Sequence, residues 1–251
     1  MLLGPFCFLQ LFYSLNPICD NSRFFKYADD VTILHFLSNA CEDNLQNEFS
    51  HVESWSKNIG LSINYEKCSI MNCTTKKFMS LPQIPSRETS EIIVTVSHLK
   101  LLGITFSEDL SWREHISIIV KKCLRRLYIL RNLKRCEMSP KLMFECYVSF
   151  IRSVLIYGYP TFCKLPKCLL HNILRVEKLA ARFFRSYDFN DFSTVSENLC
   201  KRLYLKIESV GDHPLRAMFH ERTPTLRNPH CLREPRSKTT RYDKSFIRFG
   251  R

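Results

Sequence analysis

Glycine is scarce in this chain, with six in 251 residues and no two of them close together. That scarcity excludes a glycine-rich phosphate loop of either the P-loop or the dinucleotide-binding pattern. Long apolar runs are also missing. Nothing reaches the roughly 20 residues a membrane-spanning helix needs, so no membrane partner is expected. The first fifteen residues are apolar apart from Gln10 and Ser14, but they lack a basic start and an Ala-x-Ala-like cleavage site, and they contain Pro5. They do not match a secretory signal. Compact cysteine pairing is absent. The twelve cysteines are scattered, which argues against a disulfide framework and places the chain inside the cell, in the nucleus or cytoplasm. Cys7, Cys123 and Cys146 fall on apolar stripes and read as small hydrophobes. Cys163, Cys168 and His171, with Cys200 and Cys231 further away, are spaced more loosely than zinc ligands, and no zinc is expected. Acidic residues are in deficit, 24 against 37 Lys and Arg, for a formal charge of +13. Such a balance excludes an acidic mimic and favours a polyanionic partner, nucleic acid being the simplest.

A hydrophobic content of 45% is enough for a real core, in one large domain or two small ones. The most informative stretch runs from Phe25 to Leu34, where two short apolar runs flank Asp29 and Asp30. Successive residues of a strand point to opposite faces, so both carboxylates reach one site only at or beside a turn. The β-branched and aromatic flanks predict a hairpin there. Two adjacent carboxylates repel, and a divalent cation relieves that repulsion. Asp-Asp pairs also occur in loops and at helix N-caps, where they accept backbone hydrogen bonds and bind nothing.

Tyr27-Ala28-Asp29-Asp30 resembles the Tyr/Phe-x-Asp-Asp signature of reverse transcriptases, and the segments downstream of it resemble, in order, those of the non-LTR retrotransposon enzymes of the jockey-like kind. Gly60 to Cys68, with its Gly-Leu, Asn64 and Lys67, is similar to the family's next motif. His98 to Phe106 resembles the primer-grip strand, and Asp109-Leu110-Ser111-Trp112 the start of the thumb. The resemblance implies Asp29 and Asp30 as catalytic ligands of Mg²⁺, and Lys67 as a proton donor to pyrophosphate. For Lys67 a solvated lysine after a turn is an equal alternative. It further implies that Leu101, Leu102, Gly103 and Ile104 support the primer end. Leu3-Gly4-Pro5 resembles the tail of the preceding motif, while Gln10 to Leu15 departs from the family pattern. The family's Gly-x-Pro-Gln-Gly, its fingers and the strand with its first metal-binding Asp do not appear, so an N-terminal reverse transcriptase portion is expected to be missing.

Helical spacing of Leu45, Phe49, Val52 and Trp55 predicts a helix within 40–59, stopped at Gly60. Leu61 to Ile63 and Cys68 to Met71 read as short strands about a turn, and 75–90 as a loop. From Trp112 onward Ile116, Ile119, Val120, Cys123, Leu124 and Leu127 form an apolar stripe. Lys121, Lys122, Arg125 and Arg126 lie largely opposite, a face able to track a phosphate backbone. Pro140 opens a second helix through Leu155, Tyr157 to Pro160 break it, and His171 to Arg185 form a third. Phe183, Phe184, Tyr187 and Phe189 could stack on bases, although aromatics at helical spacing are more often core. Residues 213–251 carry ten Lys or Arg against three acids, with four Pro, and predict a flexible basic tail. The expected class is α+β: a partial palm over 1–110, a helical thumb region over 111–210 and a flexible basic tail over 211–251. The expected function is a reverse transcriptase fragment, catalytically incomplete as this chain, with RNA template and RNA–DNA duplex as partners. A non-catalytic nucleic-acid-binding remnant is the alternative.

Overall fold

The computed structural model describes residues 10–37, 45–73, 85, 92–184, 191–216, 220–221 and 232–233. They divide into two compact units, Met1–Leu99 and Lys100–Arg251. The proposed loop at 75–90 lies, but for residue 85, outside the described residues, as do Cys7, Tyr187 and Phe189.

In the first unit, β1 (Ser22–Tyr27) and β2 (Asp30–His35) form an antiparallel hairpin in which Tyr27 faces Asp30 and Phe24 faces Ile33. Alternation sorts its faces. Phe24, Val31 and Ile33 pack on Phe12, Leu15, Val52 and Trp55, while Arg23, Phe25 and Tyr27 remain exposed. The helix α1 (Leu45–Asn58) ends as its glycine requires. Gly60 takes φ +73, its N–H donates to the Lys57 carbonyl and the Leu61 N–H to that of Ser56, the two bonds of a Schellman stop. Buried Glu48 of α1 accepts from the N–H groups of Ile18 and Cys19, at 3.1 and 2.7 Å, fixing the approach to β1. Burial alone would raise its pKa, yet these bonds hold the carboxyl below the ordinary value. Residues 61–64 have no regular structure. Asn64 instead caps a 3-10 turn, Tyr65–Lys67, by accepting from the Lys67 N–H, so the expected strand at Leu61 to Ile63 gives way to local side-chain capping. The parallel pair β3 (Ser69–Ile70) and β4 (Val94–Thr95) completes this unit.

β5 (His98–Leu101) and β6 (Ile104–Ser107) pair across a two-residue turn. The turn joins the second unit, because β6 packs on the long helix α2 (Arg113–Arg135) through Phe106 and Trp112. Along α2, Ile116, Ile119, Cys123 and Leu127 are buried as the apolar stripe predicts, Leu130 extends the buried series, and Leu124 is exposed. Ser139 caps α3 (Pro140–Tyr147), accepting from the Leu142 N–H with Pro140 at the first turn. A π turn, Val148–Arg152, then joins it to α4 (Ser153–Ile156). The buried residues Met143, Tyr147, Ile151 and Leu155 recur every four positions, a spacing that drifts by about 40° per step in a regular α-helix. The wider π turn offsets that drift and keeps all four on the core. Leu142 and Val148, which lie outside this series, are exposed.

The third predicted helix is α5 (Lys167–Ala181), with Ile173, Val176 and Ala180 buried. It begins and ends four residues earlier than the periodicity suggests. A further helix, α6 (Phe192–Ser209), has no counterpart in the sequence reading; Asp191 caps it by accepting from the Thr194 N–H at 2.9 Å, and the Thr194 hydroxyl together with that N–H lowers its pKa. Within 211–251 a short pair, β7 (His220–Glu221) and β8 (Leu232–Arg233), is present, and most of the remaining tail lies outside the described residues. Among the described residues no helix is long and apolar enough to cross a membrane.

His115 on α2 is buried beneath Trp112 and Phe162, and its Nδ1 accepts the Thr105 N–H at 3.3 Å. That bond leaves the proton on Nε2, which has no hydrogen-bond partner among the described residues. Burial lowers the ring's pKa below its ordinary 6.5. The unfolded chain therefore takes up this proton first, and stability falls as pH drops through about 6.5 towards the lowered folded value. Urea unfolding should show a midpoint decline between neutral and mildly acidic pH that shrinks in His115→Asn, which keeps an acceptor near Nδ1. Identical pH slopes in the two proteins would refute this account.

Candidate functional site

Asp29 occupies the second position of the two-residue loop joining β1 and β2, and Asp30 opens β2 opposite Tyr27. Both are exposed. The turn removes the strand alternation that would otherwise separate them. Ala28, the first loop residue, has φ +52, a left-handed conformation that costs a residue with a Cβ about 1 kcal/mol or more. Strain is thus concentrated at the residue preceding the two carboxylates. Lys26, the nearest cation in sequence, turns inward: its Nζ donates to the Phe12 carbonyl at 2.7 Å, and burial lowers its pKa. Among the described residues no cation neutralises Asp29 or Asp30.

Carboxylate oxygens are the right donors for a hard divalent cation, which takes six or more oxygen ligands. Among the described residues, however, no group of three or more His, Cys, Asp and Glu side chains is placed to hold an ion. The residues present fit Mg²⁺ in kind and fall short of a built metal site. Lys67 ends the 3-10 turn, exposed, with its backbone N–H held by Asn64. No hydrogen bond or ion pair among the described residues joins it to the aspartates. Cys163 and Cys200 meet in the core of the second unit, where their hydrogen bond pulls Cys163 below the ordinary thiol pKa and pushes Cys200 above it. Cys168 and His171 are exposed instead.

Leu101 to Ile104 form the β5–β6 turn. Leu102 and Gly103 take φ +46 and +83, both positive as a type I′ hairpin requires, and Leu102 is 51% exposed. In the sequence Tyr157 reads only as part of a helix break. Its hydroxyl donates to the Leu102 carbonyl at 2.7 Å, its ring lies against Gly103, and Gly158 leaves room for Ile104. Tyr157 thus positions the turn. Pairing over 55 residues leaves no local signal, although a Gly within an aromatic break is a trace of it.

On α2, Lys121, Lys122 and Arg125 are exposed. Arg126 is half-buried and donates to the Phe150 carbonyl in the π turn, so its role is at least partly structural. Of the four candidate stacking aromatics, Phe184 is fully buried, and the Phe183 ring centre lies 6.0 Å from Lys134 Nζ.

No family model matches the chain, and no solved structure matches it. Over 137 residues, 53% of this chain, it is 29% identical to a Drosophila melanogaster protein named "Probable RNA-directed DNA polymerase from transposon BS". The match spans 15% of that protein's length. This similarity supports a reverse transcriptase relationship for the chain.

Proposed function

We propose that the chain derives from the palm and thumb of a jockey-like non-LTR retrotransposon reverse transcriptase, and that as it stands it binds nucleic acid without polymerising it. The observation that carries this reading is the strained two-residue turn that exposes Asp29 and Asp30 together. In the ancestral site that pair would hold Mg²⁺, with Lys67 beside the departing pyrophosphate and the Leu101 to Ile104 turn beneath the primer end. The cations of α2 would follow the backbone of an RNA template or RNA–DNA duplex. With no third metal-ligating side chain beside the aspartates among the described residues, no polymerisation step is expected to run through the ion.

The purified chain should give no measurable template-dependent primer extension with Mg²⁺ or Mn²⁺, since each charge-stabilising group missing from such a site costs a factor of roughly 10² or more. It should nevertheless bind RNA, with affinity falling as salt rises. Primer extension abolished by Asp29→Asn and Asp30→Asn would establish an active polymerase and overturn the non-catalytic part of this reading.

A further inference from the structure

Tyr128 lies on the outward face of α2 and is 60% exposed. It is one turn beyond Arg125 and two turns beyond Lys121, so the three side chains share a strip about 10 Å long. Helical side chains lean towards the helix N-terminus, which sets the Tyr128 ring over the turn carrying Leu124 and Arg125. Leu124 is itself exposed and provides an apolar floor there. Between Lys121 and Arg135 the helix contains no acidic residue. The strip therefore combines positive charge, with no acidic residue along this stretch of the helix, and one aromatic face.

Each part has a different use. Cations spaced along a helix suffice to follow phosphates, on single and double strands alike. An aromatic ring adds something only where a base face is accessible. In a continuous duplex both faces of each base are stacked on neighbours, whereas an unpaired base can leave its stack and lie on a tyrosine. An acidic peptide would satisfy the cations but would leave the ring unused.

We propose that the outward face of α2 is a binding site for single-stranded nucleic acid, in which Tyr128 stacks on an unpaired base while Lys121, Lys122 and Arg125 hold the flanking phosphates. The site rests on the nucleic-acid reading above and narrows it, since the strand bound at α2 carries at least one unpaired base. Tyr128 supplies affinity that salt does not screen, and the three cations supply the part that it does.

The test uses the full chain and measures fluorescence anisotropy with a labelled oligouridylate of about 20 nucleotides and a fully paired RNA duplex of the same length, between about 50 and 200 mM salt. Tyr128→Ala should weaken oligouridylate binding about tenfold with an unchanged salt slope, the loss expected for one stacked base. Tyr128→Phe, which keeps the ring, should stay within about twofold. Duplex affinity should not respond to Tyr128→Ala. Replacing Lys121, Lys122 and Arg125 by Gln should flatten the salt slope for both nucleic acids. Photocrosslinking of 5-bromouracil RNA should label Tyr128. Circular dichroism should show unchanged helicity for Tyr128→Ala, because the side chain lies on the exposed face of the helix.

Oligouridylate binding unaffected by Tyr128→Ala, in a chain that still binds RNA, would overturn the stacking site and leave the nucleic-acid reading standing. An equal loss on the duplex would overturn the single-strand preference. Polyglutamate binding as tightly as RNA through the same cations would show an acidic-protein surface instead. Failure of the unaltered chain to bind either RNA would remove the nucleic-acid reading itself, and this site with it.

Discussion

Glu177→Ala is expected to destabilise the second unit by about 3–5 kcal/mol, the cost of leaving a buried charge without its counter-ion. Glu177 on α5 and Arg152 at the end of the π turn are both buried, and the guanidinium Nη2 donates to the Glu177 carboxylate at 2.8 Å. Arg152 also lies over the rings of Tyr147 and Phe144, at 4.9 and 5.6 Å, and the Tyr147 hydroxyl donates to the same carboxylate oxygen at 3.4 Å. Burial, reinforced by the neighbouring carboxylate, pushes the Tyr147 phenol up to about 12. The aromatic faces stabilise the cation by only about 0.5–2 kcal/mol, too little to stand in for Glu177. Arg152→Met should be comparably harmful, since it strands the carboxylate. The double variant Arg152→Met with Glu177→Leu should recover most of the loss, because apolar side chains of similar volume often replace a buried pair at no net cost. Urea melts of the three variants measure this directly. Single variants costing under about 1 kcal/mol would show that the pair is solvated and contributes like a surface bridge.

Gly158→Ala should cost about 2–3 kcal/mol, the sum of a backbone and a steric part, and should disturb the Leu101 to Ile104 turn as well as overall stability. Its φ of +66 is left-handed, which charges an alanine about 1–2 kcal/mol. A Cβ at this position would also sit 2.5 Å from Cδ1 of Ile104 and 3.3 Å from Cγ1, forcing that side chain off its rotamer for about 1 kcal/mol more. Gly60 provides the comparison. Its φ is +73 with nothing among the described residues within 4 Å of an added Cβ, so Gly60→Ala should show only the backbone part. Amide hydrogen exchange should rise at Leu102 to Thr105 in the Gly158 variant and not in the Gly60 variant. Equal costs for both substitutions would mean that Ile104 yields without strain.

Helix signals carried by near neighbours in sequence were read correctly. The buried stripe of α2, the stop at Gly60 and the Pro140 start follow from 3.6-residue periodicity and from terminal N–H and C=O groups that must find partners nearby. Leu124 falls on the apolar stripe yet is exposed, because a regular helical projection knows nothing of which neighbours cover a face, and it gives no sign of the π turn. α6 was missed although its Asp191 cap lies in plain sequence, since Cys200 and Ser196 are weak apolar markers on its buried side. Of the candidate site, the carboxylate pair and its β-rich flanks could be read directly, and so could the cations of α2.

What the amino-acid sequence determined by itself is therefore local: adjacent carboxylates between β-forming runs, amphipathic periods, caps, and a positive charge suited to a polyanion. The tertiary structure alone decided the rest. It turned Lys26 away from Asp29 and Asp30, used Arg126 as a donor to the Phe150 carbonyl, fastened Tyr157 to Leu102 and paired Arg152 with Glu177. Those outcomes join residues 14, 24, 55 and 25 positions apart. A lysine, an arginine and a tyrosine carry their donors in any sequence context, and only a carbonyl or carboxylate that the fold brings within reach decides which of them is used.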